Sequence, residues 1–183
     1  ARFGLVREAL APLMHVVKGT PVVCVIALLL VWVGSNQATG VVVALVVVPP
    51  FYAAMVEAAA ARSVLVDEML RAFAVGPLRR LALFRWPGAA PFLRAAAKTA
   101  AGMAWKAGVA AELIGLPAFS IGEQVYLAKL TLDTPSIIAW TATVVLLGWA
   151  SERLVVALVD ASARLPRRWL AWRVRRAEAL AAS

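Results

Sequence analysis

Long apolar runs on both sides of one charged segment limit this chain to one class of fold. The sequence is 63% hydrophobic and 16% charged, with a mean hydropathy of +0.83. Soluble domains contain about 45–50% apolar and about 25% charged residues. An apolar excess combined with a shortage of charge indicates an integral membrane protein, and we predict an all-α, polytopic transmembrane helix bundle.

The charge balance and the scarce reactive residues exclude several functions. Nineteen Lys and Arg residues against ten acids give a net charge of +9. On an apolar chain this excess is typical of cytoplasmic loops, and no nucleic-acid-binding motif accompanies it, so we expect no nucleic-acid partner. Cys24 and His15 are the only residues of their types, which excludes an intrachain disulfide and Cys- or His-rich metal clusters. We expect no catalytic residue, metal or cofactor in the chain.

Four apolar segments approach the length of about 20 residues that a membrane span requires. The first, Val22–Val33, is short and would borrow Val16-Val17 or Ser35-Asn36, and residues 34–40 are predicted to form a polar turn. The next span has Pro49-Pro50 in its middle. We predict an interfacial amphipathic helix at 1–19, two spans within 20–61, a cytoplasmic loop at 62–94, a span at 95–117, an external loop at 118–134, a span at 135–160 and a basic cytoplasmic tail at 161–183.

The third span carries small residues at alternating spacings of four and three. Such a stripe lets a second helix approach closely, which is how helices associate in lipid without a hydrophobic driving force. The stripe consists of Ala97, Ala101, Ala104, Gly108, Ala111 and Gly115.

Charge asymmetry predicts the orientation of the chain. Residues 62–98 hold seven Lys or Arg and two acids, and residues 153–176 hold seven Arg and one acid, whereas residues 117–135 hold one Lys and two acids. The positive-inside rule places the first two regions in the cytoplasm and the third outside. We therefore predict four spans, with both ends of the chain cytoplasmic.

The charged segment, residues 66–88, is typical of a loop that lies at the membrane surface and contacts a soluble partner. Gly76-Pro77 is predicted to stop a first short helix, because proline lacks the amide hydrogen that a continuing helix needs. A second short helix is predicted over 78–86, ended by Pro87-Gly88. In the first helix Glu68 and Arg71 share a face and can pair weakly. The charged residues are Asp67, Glu68, Arg71, Arg79, Arg80 and Arg85.

This segment resembles the cytoplasmic coupling loop of binding-protein-dependent ABC importer permeases of the type I fold. Glu68 stands at the motif glutamate, Pro87 at the closing proline, and Ala74 where the first glycine of the motif is usual. The resemblance implies that this loop contacts an ABC ATPase. The residues that would make this contact are Asp67, Glu68, Arg71, Ala74, Gly76, Pro77 and Pro87.

A second stretch, residues 102–115 followed by Ser120-Ile-Gly122, resembles the nitrate/sulfonate/taurine/bicarbonate branch of these permeases. Members usually have six spans, so the resemblance implies that two N-terminal spans are missing from this sequence. It also implies a small solute, such as a small anion, as cargo. The implied partners are an ABC ATPase dimer that supplies ATP and Mg, a second permease copy, an extracytoplasmic binding protein and the lipid bilayer.

Trp105, Lys106 and Glu112 are candidates for the translocation path, because charges within a membrane are functional candidates by default. Lys106 and Glu112 lie about 240° apart around a helix and cannot pair, whereas Trp105 and Glu112 share a face. Lys106 could line an anion path. Alternatively, Lys106 pairs with another span, or Glu112 lies near the outer interface.

Three other functions remain open at this point. An energy-coupling transmembrane subunit of a vitamin importer usually carries Ala-Arg-Gly triplets, which this chain lacks. An intramembrane protease would need a histidine inside a span, and His15 lies outside every predicted one. A purely structural membrane subunit would leave the charged segment unexplained.

Overall fold

The computed structural model of the chain describes the backbone of residues 2–181 and the side chains of residues 8–164. Every regular element in this part of the chain is helical, which confirms the all-α prediction. The elements are α1 (Arg2–Gly19), α2 (Val22–Val33), α3 (Ser35–Ala60), α4 (Val64–Ala72), α5 (Pro77–Arg80), a π-helical segment (Leu81–Arg85), α6 (Trp86–Gly115), α7 (Ile121–Leu130) and α8 (Thr134–Ala181).

The first two helices form a bent pair. The axes of α1 and α2 differ by 98° across the break at Thr20 and Pro21. A second break follows α2, where Gly34 has a φ of 76° that favours glycine. The segment Val22–Val33 therefore does not continue as a straight helix into Val16-Val17 or Ser35-Asn36, and its crossing of the membrane stays a prediction. The predicted polar turn at 34–40 is also wrong, because Ser35–Gly40 already forms the first turns of α3.

In the part of the chain that the structure describes, two helices are long and apolar enough to cross a membrane. They are α3 and the part of α8 from Thr134 to Arg164, and the bent pair of α1 and α2 would be a third span if it crosses as one unit. Although α6 has 30 residues, it does not meet this criterion. It contains Arg94, Lys98, Lys106 and Glu112. The prediction of four spans stays a prediction.

The chain passes from the charged segment into α6 without a stop. We predicted that Pro87-Gly88 ends a short helix, and this is wrong because both residues lie in the first turn of α6. Proline is tolerated at the first positions of a helix, where its missing amide hydrogen has no intrahelical acceptor. The π-helical segment Leu81–Arg85 widens the turn just before it and shifts the hydrogen-bond register.

The region predicted as a loop at 118–134 contains α7. Its N-terminus is capped by Ser120, whose hydroxyl accepts the Glu123 amide hydrogen bond at 3.0 Å. At its other end Leu132 adopts a left-handed φ of 54°, and the amides of Leu132 and Asp133 donate back to Lys129 and Ala128. This is a Schellman motif, formed here without the glycine that signals it in a sequence.

The turn into α8 is closed by Asp133. Its carboxylate accepts hydrogen bonds from the Ser136 hydroxyl at 2.5 Å and the Ser136 amide at 3.2 Å. These two donors lower the pKa of Asp133 below its usual value. From there α8 continues past Ser151, Glu152 and Arg153 and into the predicted tail as far as Ala181. The side chains of the tail beyond Arg164 lie outside the described residues.

The core lies where α6 packs against α3. Ile26 and Val42 are fully buried against Ala107 and Ala111 of α6. A β-carbon added to Gly108 would lie 3.2 Å from Val43, and one added to Gly115 would lie 2.7 Å from Leu30. The predicted small-residue stripe is thus confirmed as the face on which α2 and α3 rest.

We expect Gly122→Ala to destabilise the protein, because the added methyl group would overlap the backbone of Glu112 and Leu113. Overpacking of this kind costs about 1–3 kcal/mol. Gly102→Ala is the matched control: nothing lies within 4 Å of the added carbon, and alanine stabilises a helix interior by about 0.5–1 kcal/mol. Thermal unfolding of both variants in detergent tests the contrast. Equal midpoints would show that α7 does not pack tightly on α6.

Candidate functional site

The charged segment folds around α4, whose two faces have different surroundings. Ser63 caps the helix by accepting the Val66 amide hydrogen bond at 3.5 Å. Leu70 is buried, with 3% of its surface exposed, and it shares the inner face of α4 with Val66 and Asp67. On the opposite side lies an exposed outer face that consists of Leu65, Glu68, Met69 and Ala72.

A left-handed residue ends α4. Ala74 has a φ of 48°, its amide donates to the Arg71 carbonyl at 2.9 Å, and the Val75 amide donates to the Leu70 carbonyl at 3.1 Å. This is again a Schellman motif. Glycine is the usual residue in this conformation, so the geometry explains why the motif that this segment resembles carries a glycine at the position of Ala74.

Two arginines join parts of the charged segment to each other. An Arg85 Nη2 atom of the π-helical segment lies 3.6 Å from the Asp67 carboxylate of α4, and the Arg80 guanidinium of α5 donates to the Val75 carbonyl in the turn after α4. Among the side chains described, Glu68 and Arg71 form no ion pair, so the predicted weak pair is not formed. Glu68 is exposed on the outer face, and Arg71 is exposed at its edge.

The structure therefore divides the predicted ATPase-contacting residues into groups. Glu68 and Arg71 are exposed on one side of α4, whereas Asp67 faces Arg85 on the other. The remaining four occupy backbone positions that shape the segment. Ala74 ends α4, Gly76 and Pro77 start α5, and Pro87 lies in the first turn of α6.

The second candidate site is a cavity of about 270 Å³ between α3 and α6, which we call the α3–α6 pocket. Trp105 and Glu112 both line it, as their shared face predicted, together with Thr39. The Thr39 hydroxyl is buried without a hydrogen-bond partner in the described part of the chain. The remaining lining residues are Val43, Ala104, Gly108 and Val109.

Each of the two larger polar side chains of this pocket is fixed by a neighbouring helix. The Trp105 indole donates to the Ser151 hydroxyl of α8 at 2.8 Å. One carboxylate oxygen of Glu112 accepts the Gly122 amide hydrogen bond at 3.0 Å, at the start of α7. Lys106 is exposed and does not line the pocket. The structure thus brings Trp105 and Glu112 together and leaves Lys106 on another side of α6.

Polar contacts between α6 and α8 escaped sequence reasoning. Arg94 donates to the Asp160 carboxylate, with an Nε–Oδ1 distance of 2.9 Å. Nearer the start of α6, the Trp86 indole donates to the Ser162 hydroxyl at 3.3 Å. The sequence shows only that each of these residues is polar or amphipathic and lies in an apolar helix. That property does not reveal which residue of the other helix it contacts.

In the described residues no three His, Cys, Asp or Glu side chains come together as a metal site.

Comparison with protein families decides what kind of protein carries these features. A family described as the inner membrane component of binding-protein-dependent transport systems matches residues 1–168. The chain belongs to this family. It is therefore a permease component of an inner-membrane transport system, and the family description implies a substrate-binding protein and an ATPase as partners. No curated protein and no solved structure matched the permease.

We expect Ala74→Gly to stabilise α4, because a non-glycine residue in the left-handed region carries a penalty of roughly 1–2 kcal/mol. Ala72→Gly is the matched control. It makes the same replacement at the last helical residue, where glycine is unfavourable by about 0.5–1 kcal/mol. Hydrogen–deuterium exchange of the peptide covering α4 measures both effects. Faster exchange in Ala74→Gly would contradict the Schellman geometry.

Proposed function

We propose that the permease is the transmembrane subunit of a type I ABC importer, driven by ATP hydrolysis in a separate ATPase subunit. The observation that carries this proposal is the charged segment itself. The short helix α4 lies in the chain between two long helices, α3 and α6, with Leu70 buried on one face and an exposed face opposite it. An exposed helix face of this kind suits docking into a groove on a soluble subunit.

The outer face of α4 is the surface that we assign to the ATPase. Leu65 is 76% exposed and Phe73, just past the helix, is also 76% exposed, beside the charges of Glu68 and Arg71. Apolar anchors next to charged groups are typical of protein interfaces. The Asp67–Arg85 ion pair joins α4 to the π-helical segment that leads into α6, which supports our proposal that movement of α4 is passed to α6.

The orientation that we propose follows from charge. The α4 region would lie in the cytoplasm, where an ATPase has access, and α7 would lie outside, with both ends of the chain cytoplasmic. We also propose that the chain contains four of the six spans usual in such permeases, and that a second permease copy completes the path. Membership of the nitrate/sulfonate/taurine/bicarbonate branch is part of the same proposal.

For the path of the solute we propose the side of α6 that contains Trp105 and Glu112. The α3–α6 pocket supports this choice, because it combines an apolar lining with an indole, a carboxylate and a free hydroxyl. Lys106 could contribute to the same path only from its exposed side, for example where a second permease copy faces it. We propose a small solute as the cargo. The narrower proposal of a small anion is supported only by the resemblance to the nitrate/sulfonate/taurine/bicarbonate branch.

Glu68→Lys is expected to release the ATPase or to uncouple it from transport, since a reversed charge would face its partner across the interface. We expect binding to weaken by at least about 2 kcal/mol, roughly 30-fold. Glu57→Lys is the matched control, because Glu57 is exposed on α3 outside the charged segment. Co-purification of the ATPase with membrane-inserted permease, together with solute uptake, measures the effect. Normal ATPase binding and normal uptake in Glu68→Lys would refute the coupling assignment.

A further inference from the structure

A second cavity lies beneath α4, on the side opposite its outer face. Its volume is about 300 Å³, and we call it the inner cavity. The end of α3, the inner face of α4 and the start of α6 enclose it. Its apolar walls include Met55, Leu70, Leu81, Phe84 and Phe92.

The inner cavity lies at the end of α3. Ser35–Ala60 is long and apolar enough to cross a membrane, and if it does so, its end at Ala60 would lie near the boundary between the hydrocarbon region and the headgroups. The cavity is lined from Met55, inside this helix, to Ser63, beyond its end. Its lining would therefore extend from acyl-chain depth to headgroup depth, whichever way the permease is oriented.

One unsatisfied donor in the inner cavity favours a ligand with an acceptor oxygen. The ionisable residues that line the cavity are Arg62, Arg85 and Asp67. Arg85 Nη2 already neutralises Asp67 at 3.6 Å, whereas Arg85 Nε is buried and has no hydrogen-bond partner in the described residues. A buried guanidinium N–H without an acceptor is unfavourable, and a phosphate oxygen would satisfy it with a charge-assisted hydrogen bond.

We propose that the inner cavity binds an anionic phospholipid. The phosphate would accept a hydrogen bond from Arg85 Nε, and one acyl chain would lie along the apolar wall formed by Phe84 and Phe92. A volume near 300 Å³ is at the lower end of the range for small-ligand pockets, so the cavity would hold the headgroup and the first part of one chain. Basic pockets between transmembrane helices bind anionic lipid headgroups by the same chemistry.

The proposal gives the two faces of α4 different roles. The outer face is directed away from the cavity, so an ATPase could dock there while the lipid stays bound beneath the helix. Lipid binding can therefore be measured on the permease alone, without an ATPase. Failure of the lipid proposal and failure of the proposed transport function are thus distinguishable.

The test uses the full chain in nanodiscs of phosphatidylcholine with or without phosphatidylglycerol, followed by native mass spectrometry of the retained lipid. Wild-type permease should retain phosphatidylglycerol in preference to phosphatidylcholine. Arg85→Gln should weaken this retention about tenfold, as expected for one charge-assisted hydrogen bond. Ala58→Leu fills the cavity and keeps Arg85, and it should also weaken the retention of phosphatidylglycerol. This second variant tests the site even if Arg85→Gln fails to fold.

Arg79→Gln is the matched control, because it removes the same charge from an exposed residue of the same segment that does not line the cavity. It should retain the lipid like the wild type. An equal loss in Arg79→Gln and Arg85→Gln would mean general attraction to a basic surface and would overturn the site. Equal retention of phosphatidylcholine would overturn headgroup recognition. Displacement of the lipid on addition of the ATPase would assign the cavity to the ATPase instead.

Discussion

The close approach of α3 to α6 is the contact on which the rest of the structure depends. Lipid provides no hydrophobic driving force between two helices, so their association relies on packing of small residues and on a few polar bonds. Gly108 lets Val43 come within 3.2 Å of where a β-carbon would lie, and Gly115 accommodates Leu30 in the same way. With α3 packed on one side of α6, the segment between them must turn back, and α4 is the helix that this turn contains.

Polar side chains hold the other side of α6. The bonds Trp86–Ser162, Arg94–Asp160 and Trp105–Ser151 run along α6 from its first residue toward its middle, over about 28 Å. They join α6 to α8 at intervals along one antiparallel pair. The helix α6 continues directly from the π-helical segment to the α3–α6 pocket, and it packs on both α3 and α8. This geometry fits our proposal that an ATPase contact at α4 is passed along α6 to Trp105 and Glu112.

Local patterns predicted the helical class and the charged segment, and features that depend on distant partners escaped them. The apolar runs indicated helices, and the stripe from Ala97 to Gly115 identified the packing face of α6. Pro87 was misread because proline stops a helix interior but is accepted in a first turn, and no sequence signal marks the π-helical register shift before it. The Schellman turns at Ala74 and Leu132 contain no glycine, so the sequence does not signal either of them. The region that contains α7 was read as a loop. Arg94 and Asp160 are 66 positions apart, and only tertiary packing pairs them.

The helix α6 packs against both α3 and α8 although it contains four ionisable residues. The surroundings of these residues differ. Arg94 pairs with Asp160, Glu112 accepts the Gly122 amide, and Lys98 and Lys106 are exposed away from the face that packs on α3. A helix surrounded by lipid could not carry four such groups, since ionisable side chains in a membrane face other helices or water-filled space. If α6 crosses the membrane as we propose, the two exposed lysines require a side of α6 that is directed toward neither α3 nor bulk lipid. In the same proposal, that side would face a second permease copy or water in a path between two copies.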